Sequence, residues 1–383
     1  MNPLIYLDHH ATTPMAPDVL AAMIPFFTEH FGNPGSPHAY GWAAESGVKL
    51  ARETIASSIN ASADELIFTS GATEANNLAI KGVAESYMSQ GKHIITVATE
   101  HSAVLEPCRY LQSLGFELTI LPVRSNGLID LALLESTLRD DTILVSIMVA
   151  NNEIGVVQPI AEIGQLCHDK NILFHTDAAQ ALGYLPLDVE AMNIDLMSMT
   201  AHKVYGPKGI GALYVRRRNP RVQLSPQLHG GDQERGLRSG TVYPPQIVGF
   251  GKAVELAIAE MSDESKRLGE LRDRLLSGLL MELGSAGCLM NGTMEHRLSK
   301  NLNVSIPGID SSALTLELGK SIALSSGSAC ATKSRKPSHV LEAIGRSPEL
   351  AFSSLRFGLG RGTTAMEIDR AIEVIGIAVR SQA

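Results

Sequence analysis

"ELIFTSGATEANNLAIKGVAESY" runs from Glu65 to Tyr87. It opens on a short apolar run, ELIFT (65–69), of the length and composition of a buried strand. A polar turn follows, SGATE (70–74). Then Ala75, Leu78, Ala79, Gly82, Val83 and Tyr87 recur at helical spacing on one face. A strand giving way to an amphipathic helix is half of a β-α-β unit. Repeated along a chain, it predicts an α/β fold with a mostly parallel sheet covered by helices.

The unit does repeat. HIITV (93–97), TILVSIMV (142–149), ILFH (172–175) and DLMSM (195–199) are further apolar runs of strand length, and GALYV (211–215) follows a glycine-containing turn. In such sheets ligands collect at the carboxyl ends of the strands. From about Ile247 the texture changes. A long charged helical pattern runs to about Leu283, followed by NLNVSI (301–306), a helix near 311–319, and SSGSACATKSRKPSHV (325–340). This predicts a large domain of residues 16–259 and a smaller α+β domain built from 1–15 and 260–383.

A chain of 383 residues suits two domains. Its 44% hydrophobic and 19% charged residues are those of an ordinary globular protein. A net charge of −8 argues against nucleic acid or anionic membrane as a direct partner. RRRNPR (216–221) is a local basic run against that background. No stretch approaches the roughly 18 apolar residues of a membrane span. MNPLIYLDHHATTP lacks the basic-then-apolar order of a signal peptide, so a cytoplasmic protein is expected. The cysteines are Cys108, Cys167, Cys288 and Cys330. None forms a CxxC pair, so neither a zinc site nor a disulfide framework is expected. The first three lie in or near apolar or helical patterns and read as packing. Cys330 instead sits between a Ser/Gly turn and a basic polar run.

The strand ends carry the chemistry. In SGATE, Gly71 permits a tight turn, Ser70 and Thr73 offer hydroxyls, and the first helical N–H groups are unpaired. This is a cradle for phosphate or carboxylate, although the same residues also read as an ordinary N-cap. ATEHSAV places His101 at a helix start, and ANNE places Asn152 in a loop. TDAAQ brings Asp177 and Gln180. TAHKVYGPKGIG brings Thr200, His202 and Lys203, and lacks the spacing of a P-loop or of GxGxxG at a first βα turn. A phosphate cradle, a carboxylate, a lysine and a histidine in one crevice suit pyridoxal 5′-phosphate. Lys203 would hold it covalently, and Asp177 would pair with the pyridine nitrogen so that the ring can take up carbanion charge.

YLDHHATTP (6–14), FGNPGSPH (31–38), FTSGATEANN (68–77), TEHSAVL (99–105), ANNEIG (150–155), HTDAAQ (175–180), AHKVYGPKGIGALY (201–214), ERGLRSGT (234–241), SSGSAC (325–330) and SSLRFGLGR (353–361) together resemble the cysteine desulfurases of the NifS/IscS group. The resemblance implies the fold-type I pyridoxal-phosphate transferase architecture, with a seven-stranded sheet, and a homodimer. It implies that Lys203 is the cofactor lysine, that His101 stacks on the ring, and that Asn152 and Gln180 lie near the ring's 3′-oxygen. Ala72, Thr73, Thr200 and His202 would surround the phosphate, with Thr241 reaching the partner subunit's phosphate. Arg356 would hold the carboxylate of L-cysteine, and Cys330 would receive its sulfur as a persulfide. The implied partner is a sulfur-acceptor protein, either an iron–sulfur scaffold or a carrier for thiolation of tRNA or DNA. Longer relatives dock the scaffold through a C-terminal tail, so an ending at Ala383 leaves the choice open between that partner and the thiolation carriers. A selenocysteine lyase, another β-lyase, or a non-catalytic sulfur-carrier platform are the alternative readings. His9 and His10 read either as lining the site entrance or as structural.

Overall fold

The computed structural model describes residues 4–285, 287–326 and 336–382. The first strand, β1 (Ile5–Tyr6), leads into α1 (Pro17–Met23), α2 (Pro25–Thr28) and α3 (Ala39–Ser57). Strands and helices then alternate. In order they are β2 (Leu66–Thr69), α4 (Ala72–Tyr87), β3 (His93–Val97), α5 (Ser102–Ser113), β4 (Glu117–Leu121) and α6 (Leu131–Thr137). Next come β5 (Thr142–Ser146), α7 (Ile160–Asp169), β6 (Leu173–Asp177), β7 (Leu196–Thr200) and β8 (Gly211–Val215).

These strands make one seven-stranded sheet in the order β2-β8-β7-β6-β5-β3-β4, as the fold class requires. Only β8 runs antiparallel to its neighbours. Its two neighbours, β2 and β7, therefore point the same way as the rest, and the carboxyl ends of six strands gather on one side. One apolar core fills the face toward α1, α3, α7 and the later helices; a second lies under α4 and α5. The reading of 142–149 overshoots β5. Beyond Ser146 the chain leaves the ladder pattern, although Ile147 and Val149 still donate to the carbonyls of His175 and Asp177. The edge strand β4 escaped the sequence reading because only Leu121 of its residues is buried. An edge strand in water shows no apolar run.

The 40-residue α8 (Pro244–Leu283) follows. Its first half packs on α1 and α3, where Gly249 and Gly251 admit Met23 and Ala51; its second half meets the last helix at Gly278 and Ile372. The expected domain boundary at 259/260 therefore falls inside one continuous helix. The remaining elements are β9 (Leu289–Met290), β10 (Asn301–Ser305), α9 (Ser311–Leu318), β11 (Ile322–Ala323) and β12 (Ser325–Ser326). After them come α10 (His339–Ala343), α11 (Pro348–Phe352), β13 (Ser354–Gly358) and α12 (Ala365–Gln382). A separate four-stranded sheet has the order β12-β13-β10-β9, and β1 pairs parallel with β11. The chain's start is thus stitched to its last third. Gly358 makes the stitch possible. A Cβ there would lie 2.7 Å from the backbone nitrogen of His10.

Candidate active site

A cavity of about 740 Å³ opens at the carboxyl ends of the large sheet. Ala72, Thr73, His101, Asn152, Asp177, Gln180, Thr200, His202, Lys203 and Arg356 all line it. Strand ends far apart in sequence therefore converge, as the strand-end inventory anticipated. Thr241 is exposed and does not line this cavity. Cys330 lies outside the described residues, as do Lys333 and Arg335.

One end of the cavity is built for an anion. Helix α4 begins after Gly71, whose φ of +152° suits glycine. No side chain caps this helix, so the N–H groups of its first turn face the cavity. The ordinary N-cap reading of Ser70 or Thr73 is thereby replaced. The backbone N–H of Ser70 instead donates to Glu74, whose carboxylate also takes Arg238 at 2.8 Å. The first strand residue Gly211 lets β8 press in behind, since a Cβ there would sit 2.7 Å from the Cα of Gly71. Thr200 and His202 close the same end. His202 hydrogen-bonds Thr12 through Nδ1 at 3.1 Å. Burial, then the charges of Lys203 and Lys208, push its pKa down to about 4, so it is neutral.

Across the middle, Asp177 ends β6. Its Oδ2 accepts from Asn76 Nδ2 at 2.7 Å and its Oδ1 from the Ala179 N–H at 2.8 Å. His101 caps α5, its Nδ1 accepting the Ala103 N–H at 3.1 Å. Its proton therefore sits on Nε2 in the neutral ring. Burial lowers its pKa, Asp177 opposes, and Lys203 and His339 lower it further. Lys203 donates to the carbonyls of His10 and Ala11.

On the four-stranded sheet, Arg356 is buried on β13. Nη2 donates to Asp8 at 2.9 Å and to Ser325 at 3.0 Å, and Nη1 to the Asn152 carbonyl at 3.1 Å. Its Nε has no partner among the described residues, and neither has the buried Oδ1 of Asn152. Buried polar atoms left unpaired cost roughly 1–3 kcal/mol each, so such atoms beside a cavity mark places for a ligand's polar groups. The wall is completed by Ser338 and His339. Ser338 donates to buried Glu153 at 2.5 Å, and His339 Nε2 to the Glu100 carbonyl at 2.9 Å.

The structure also shows residues that the sequence reading missed. Asn76 sits behind Asp177. Glu100 is fully buried; burial pushes its pKa well up, only partly opposed by the Met148 N–H. Lys300 is fully buried with its Nζ 3.3 Å from the ring centre of Tyr184, whose hydroxyl donates to the Lys203 carbonyl. The sequence held a hint for Glu100, which adjoins His101, and none for Lys300. His9 is structural: its Nδ1 donates to the Gly358 carbonyl at 2.9 Å and its ring packs edge-on against Tyr6. His10 lines the cavity. Cys108, Cys167 and Cys288 are buried, as expected; burial pushes the Cys108 thiol up to about 12 and Cys288 to about 11. RRRNPR is no uniform basic patch. Arg216 is buried against Glu190 and the Val189 and Ile194 carbonyls, and Arg217 pairs with Asp64.

A lysine, an aspartate and an uncapped helix N-terminus meeting at the strand ends of such a sheet define a pyridoxal-phosphate enzyme of fold type I. The residues fit that cofactor in chemistry: an uncapped helix start for an anion, a carboxylate, and buried polar atoms without partners among the described residues line one cavity. Residues 5–371 match the aminotransferase class-V family. A cysteine desulfurase IscS of Dechloromonas aromatica (strain RCB) is 52% identical over 373 residues, 97% of this chain and 91% of that protein. A solved NifS-like protein superposes with a TM-score of 0.92 at 38% identity, covering 99% of this chain and all of that one. SspA in complex with cysteine superposes at 0.82 with 40% identity, covering 93% of this chain and 98% of that one. The chain belongs to the class-V aminotransferase family, in its NifS/IscS cysteine desulfurase group, and pyridoxal phosphate is its cofactor.

Proposed function

We propose that the chain takes sulfur from L-cysteine, releases L-alanine, and keeps the sulfur as a persulfide on Cys330 for delivery to an acceptor. The observation that carries this is the meeting of Lys203, Asp177 and Arg356 in one cavity from three separate strand regions. The cofactor supplies an electron sink for charge developing at the substrate's α-carbon. Lys203 holds the cofactor and moves the α-proton; Asp177 holds the pyridine nitrogen protonated. Ala72, Thr73, Thr200 and His202 receive the phosphate, while Asn152 and Gln180 face the 3′-oxygen. His101 covers the ring. Arg356 takes the substrate carboxylate beginning at its unpaired Nε, while Asp8 and Ser325 hold Nη2 and the Asn152 carbonyl holds Nη1. The cysteine bound to SspA supports this choice of substrate.

The transfer balances without an added oxidant. The substrate's Cβ–Sγ bond breaks and its electron pair stays with carbon, which gains a proton to become the methyl of alanine. The sulfur leaves as a formally neutral atom, and the Cys330 thiolate forms the S–S bond. The domain division of 16–259 against 1–15 with 260–383 belongs to this reading, hinged within α8. So does a cytoplasmic homodimer. Phe27, Phe31, Tyr40, Trp42 and Tyr243 are each about half exposed, with Phe27 and Tyr243 in edge contact. Thr241 lies two residues from Tyr243, so covering this surface with a second copy would bring it toward the partner subunit's phosphate. No helix among the described residues is long and apolar enough to cross a membrane. The acceptor is a protein carrier, for iron–sulfur assembly or for thiolation.

The purified protein should be yellow, and borohydride should fix the cofactor to the peptide bearing Lys203. Cys330→Ala should keep the colour and lose alanine formation from L-cysteine. Undiminished alanine formation by that variant would favour a lyase that needs no protein persulfide.

A further inference from the structure

Behind the cavity, Arg297, Asn301, His10 and Gln180 form a string of buried polar side chains. Its polarity is set from one end. A guanidinium only donates. Arg297 Nη1 lies 2.8 Å from Asn301 Oδ1, so that oxygen accepts and Nδ2 is the atom turned toward His10. Nδ2 donates to the Glu153 carbonyl at 3.0 Å and meets His10 Nε2 at 3.0 Å. An amide nitrogen does not accept, so His10 Nε2 must, and the imidazole proton sits on Nδ1. Nδ1 in turn lies 2.9 Å from Gln180 Oε1. That oxygen is therefore an acceptor, and Gln180 Nε2 donates to the carbonyl of His10 itself at 3.0 Å. A primary amide nitrogen carries two hydrogens. One goes to this carbonyl, and the other remains for an acceptor on the cavity side.

We propose that His10 is a positioning residue: held by Asn301 as its Nδ1–H form, it fixes the Gln180 amide so that an N–H, and not the carbonyl, is presented to the cofactor's 3′-oxygen. This rests on the cofactor reading above. The geometry matters because an amide turned end for end would set one oxygen against another and forfeit the bond. Two features keep His10 neutral. It is fully buried, and the nearby charges of Arg356 and Lys203 are both positive. A second ring proton, on Nε2, would also confront the Asn301 amide donor. Both effects hold the ring in one tautomer, which no surface histidine would keep.

Two substitutions separate the roles of the two ring nitrogens. The amide nitrogen of His10→Asn takes the place of Nδ1, while that of His10→Gln takes the place of Nε2. In the holoenzyme, H10Q should raise the pH midpoint of the bound cofactor's visible band by about half a unit or more, because a lost donor disfavours the deprotonated oxygen. H10N should stay within about 0.2 units of wild type. Equal shifts in both variants would reduce His10 to a packing residue and overturn the inference. Long-range proton–nitrogen correlation on 15N-histidine-labelled holoenzyme, with H10N as the assignment control, needs no stable variant at the Nε2 position. It should show Nδ1–H and no imidazolium over about pH 6 to 9. An Nε2–H ring in a chain that still carries its cofactor overturns this inference alone. A wild-type chain that takes up no pyridoxal phosphate overturns the underlying reading and the inference with it.

Discussion

Replacing Lys300 by methionine should stabilise the protein, and by an amount that depends on pH. Lys300 is fully buried, its Nζ has no hydrogen-bond partner among the described residues, and its only compensation is the face of Tyr184. Burial first, then the charge of Lys203, push its pKa well below the ordinary value. Above that lowered folded-state pKa, and up to an unfolded pKa of about 10.4, the folded state holds a neutral amine where the unfolded chain holds an ammonium. Between the folded and unfolded pKa values the unfolded state binds one more proton. Stability must rise with pH across that window and be lost as pH falls, by up to about 1.4 kcal/mol per unit. Methionine fills a similar volume, contacts the ring through sulfur and binds no proton. The K300M holoenzyme should be the more stable at pH 7 in urea, and its advantage should shrink by up to about 1.4 kcal/mol per unit as pH rises toward 10. Titrating groups that do not feel Lys300 are common to both proteins and cancel in the difference; His9 and His10 do feel it, but burial lowers both from their ordinary value, so they titrate beneath the window from about pH 7 to 10. A gap that stays constant from about pH 7 to 9.5 would refute the reasoning, because it would mean that Lys300 keeps its proton when the chain folds.

Other consequences are simpler. Arg356→Lys keeps a charge near Asp8 but loses the planar fork, so KM for L-cysteine should rise roughly 10- to 100-fold with kcat little changed; an unaltered KM would remove Arg356 from the substrate site. Asn76→Ala takes the 2.7 Å donor from Asp177, and should weaken cofactor affinity about three- to tenfold in reconstitution titrations. Glu234 is buried, accepts two hydrogen bonds from Arg52 and one from the Phe68 N–H. Glu234→Ala should therefore cost about 3–5 kcal/mol in urea unfolding, with a further Arg52→Leu change recovering much of it. The imidazole of His101 should titrate below its ordinary value in NMR, being buried beside Lys203.

How much of this was legible in the sequence follows from the range of the interactions. HIITV and GALYV are strands from end to end, because a strand buried on both faces writes its apolar run into consecutive residues. An exposed edge such as β4 leaves no such trace. The strand-end residues were legible for a related reason: each follows its strand directly, and the parallel sheet then aligns the ends. Thr73, Asp177, Thr200 and Lys203 needed no knowledge of distant partners. The polar string through His10 did. Its members lie at positions 10, 180, 297 and 301, and each taken alone is an ordinary polar residue. Lys300 looked like a solvated lysine for the same reason, since what buries it is Tyr184 more than a hundred residues away.

The segment from Asp8 to Thr13 joins these two kinds of residue into one site. Asp8 bonds Arg356, and His10 bonds Gln180 and Asn301. The carbonyls of His10 and Ala11 take Lys203. Thr12 meets His202, while Thr13 donates to the His202 carbonyl and accepts the Tyr205 N–H. The segment is tied to the last third of the chain, through β1 and β11 and the bond from His9 to Gly358. Its side chains and carbonyls nevertheless organise groups of the large sheet. Most of the anion cradle forms from the large sheet and the helix on it, the start of α4 and Thr200 on β7, with only His202 leaning on Thr12 and Thr13. Lys203, Gln180 and Arg356 each bond this segment, so their placement depends on the chain's first residues as well as on their own elements. Cofactor phosphate binding should therefore tolerate loosening of the smaller unit better than substrate binding does, and damage to residues 8–13 should fall on KM and kcat before it falls on phosphate affinity.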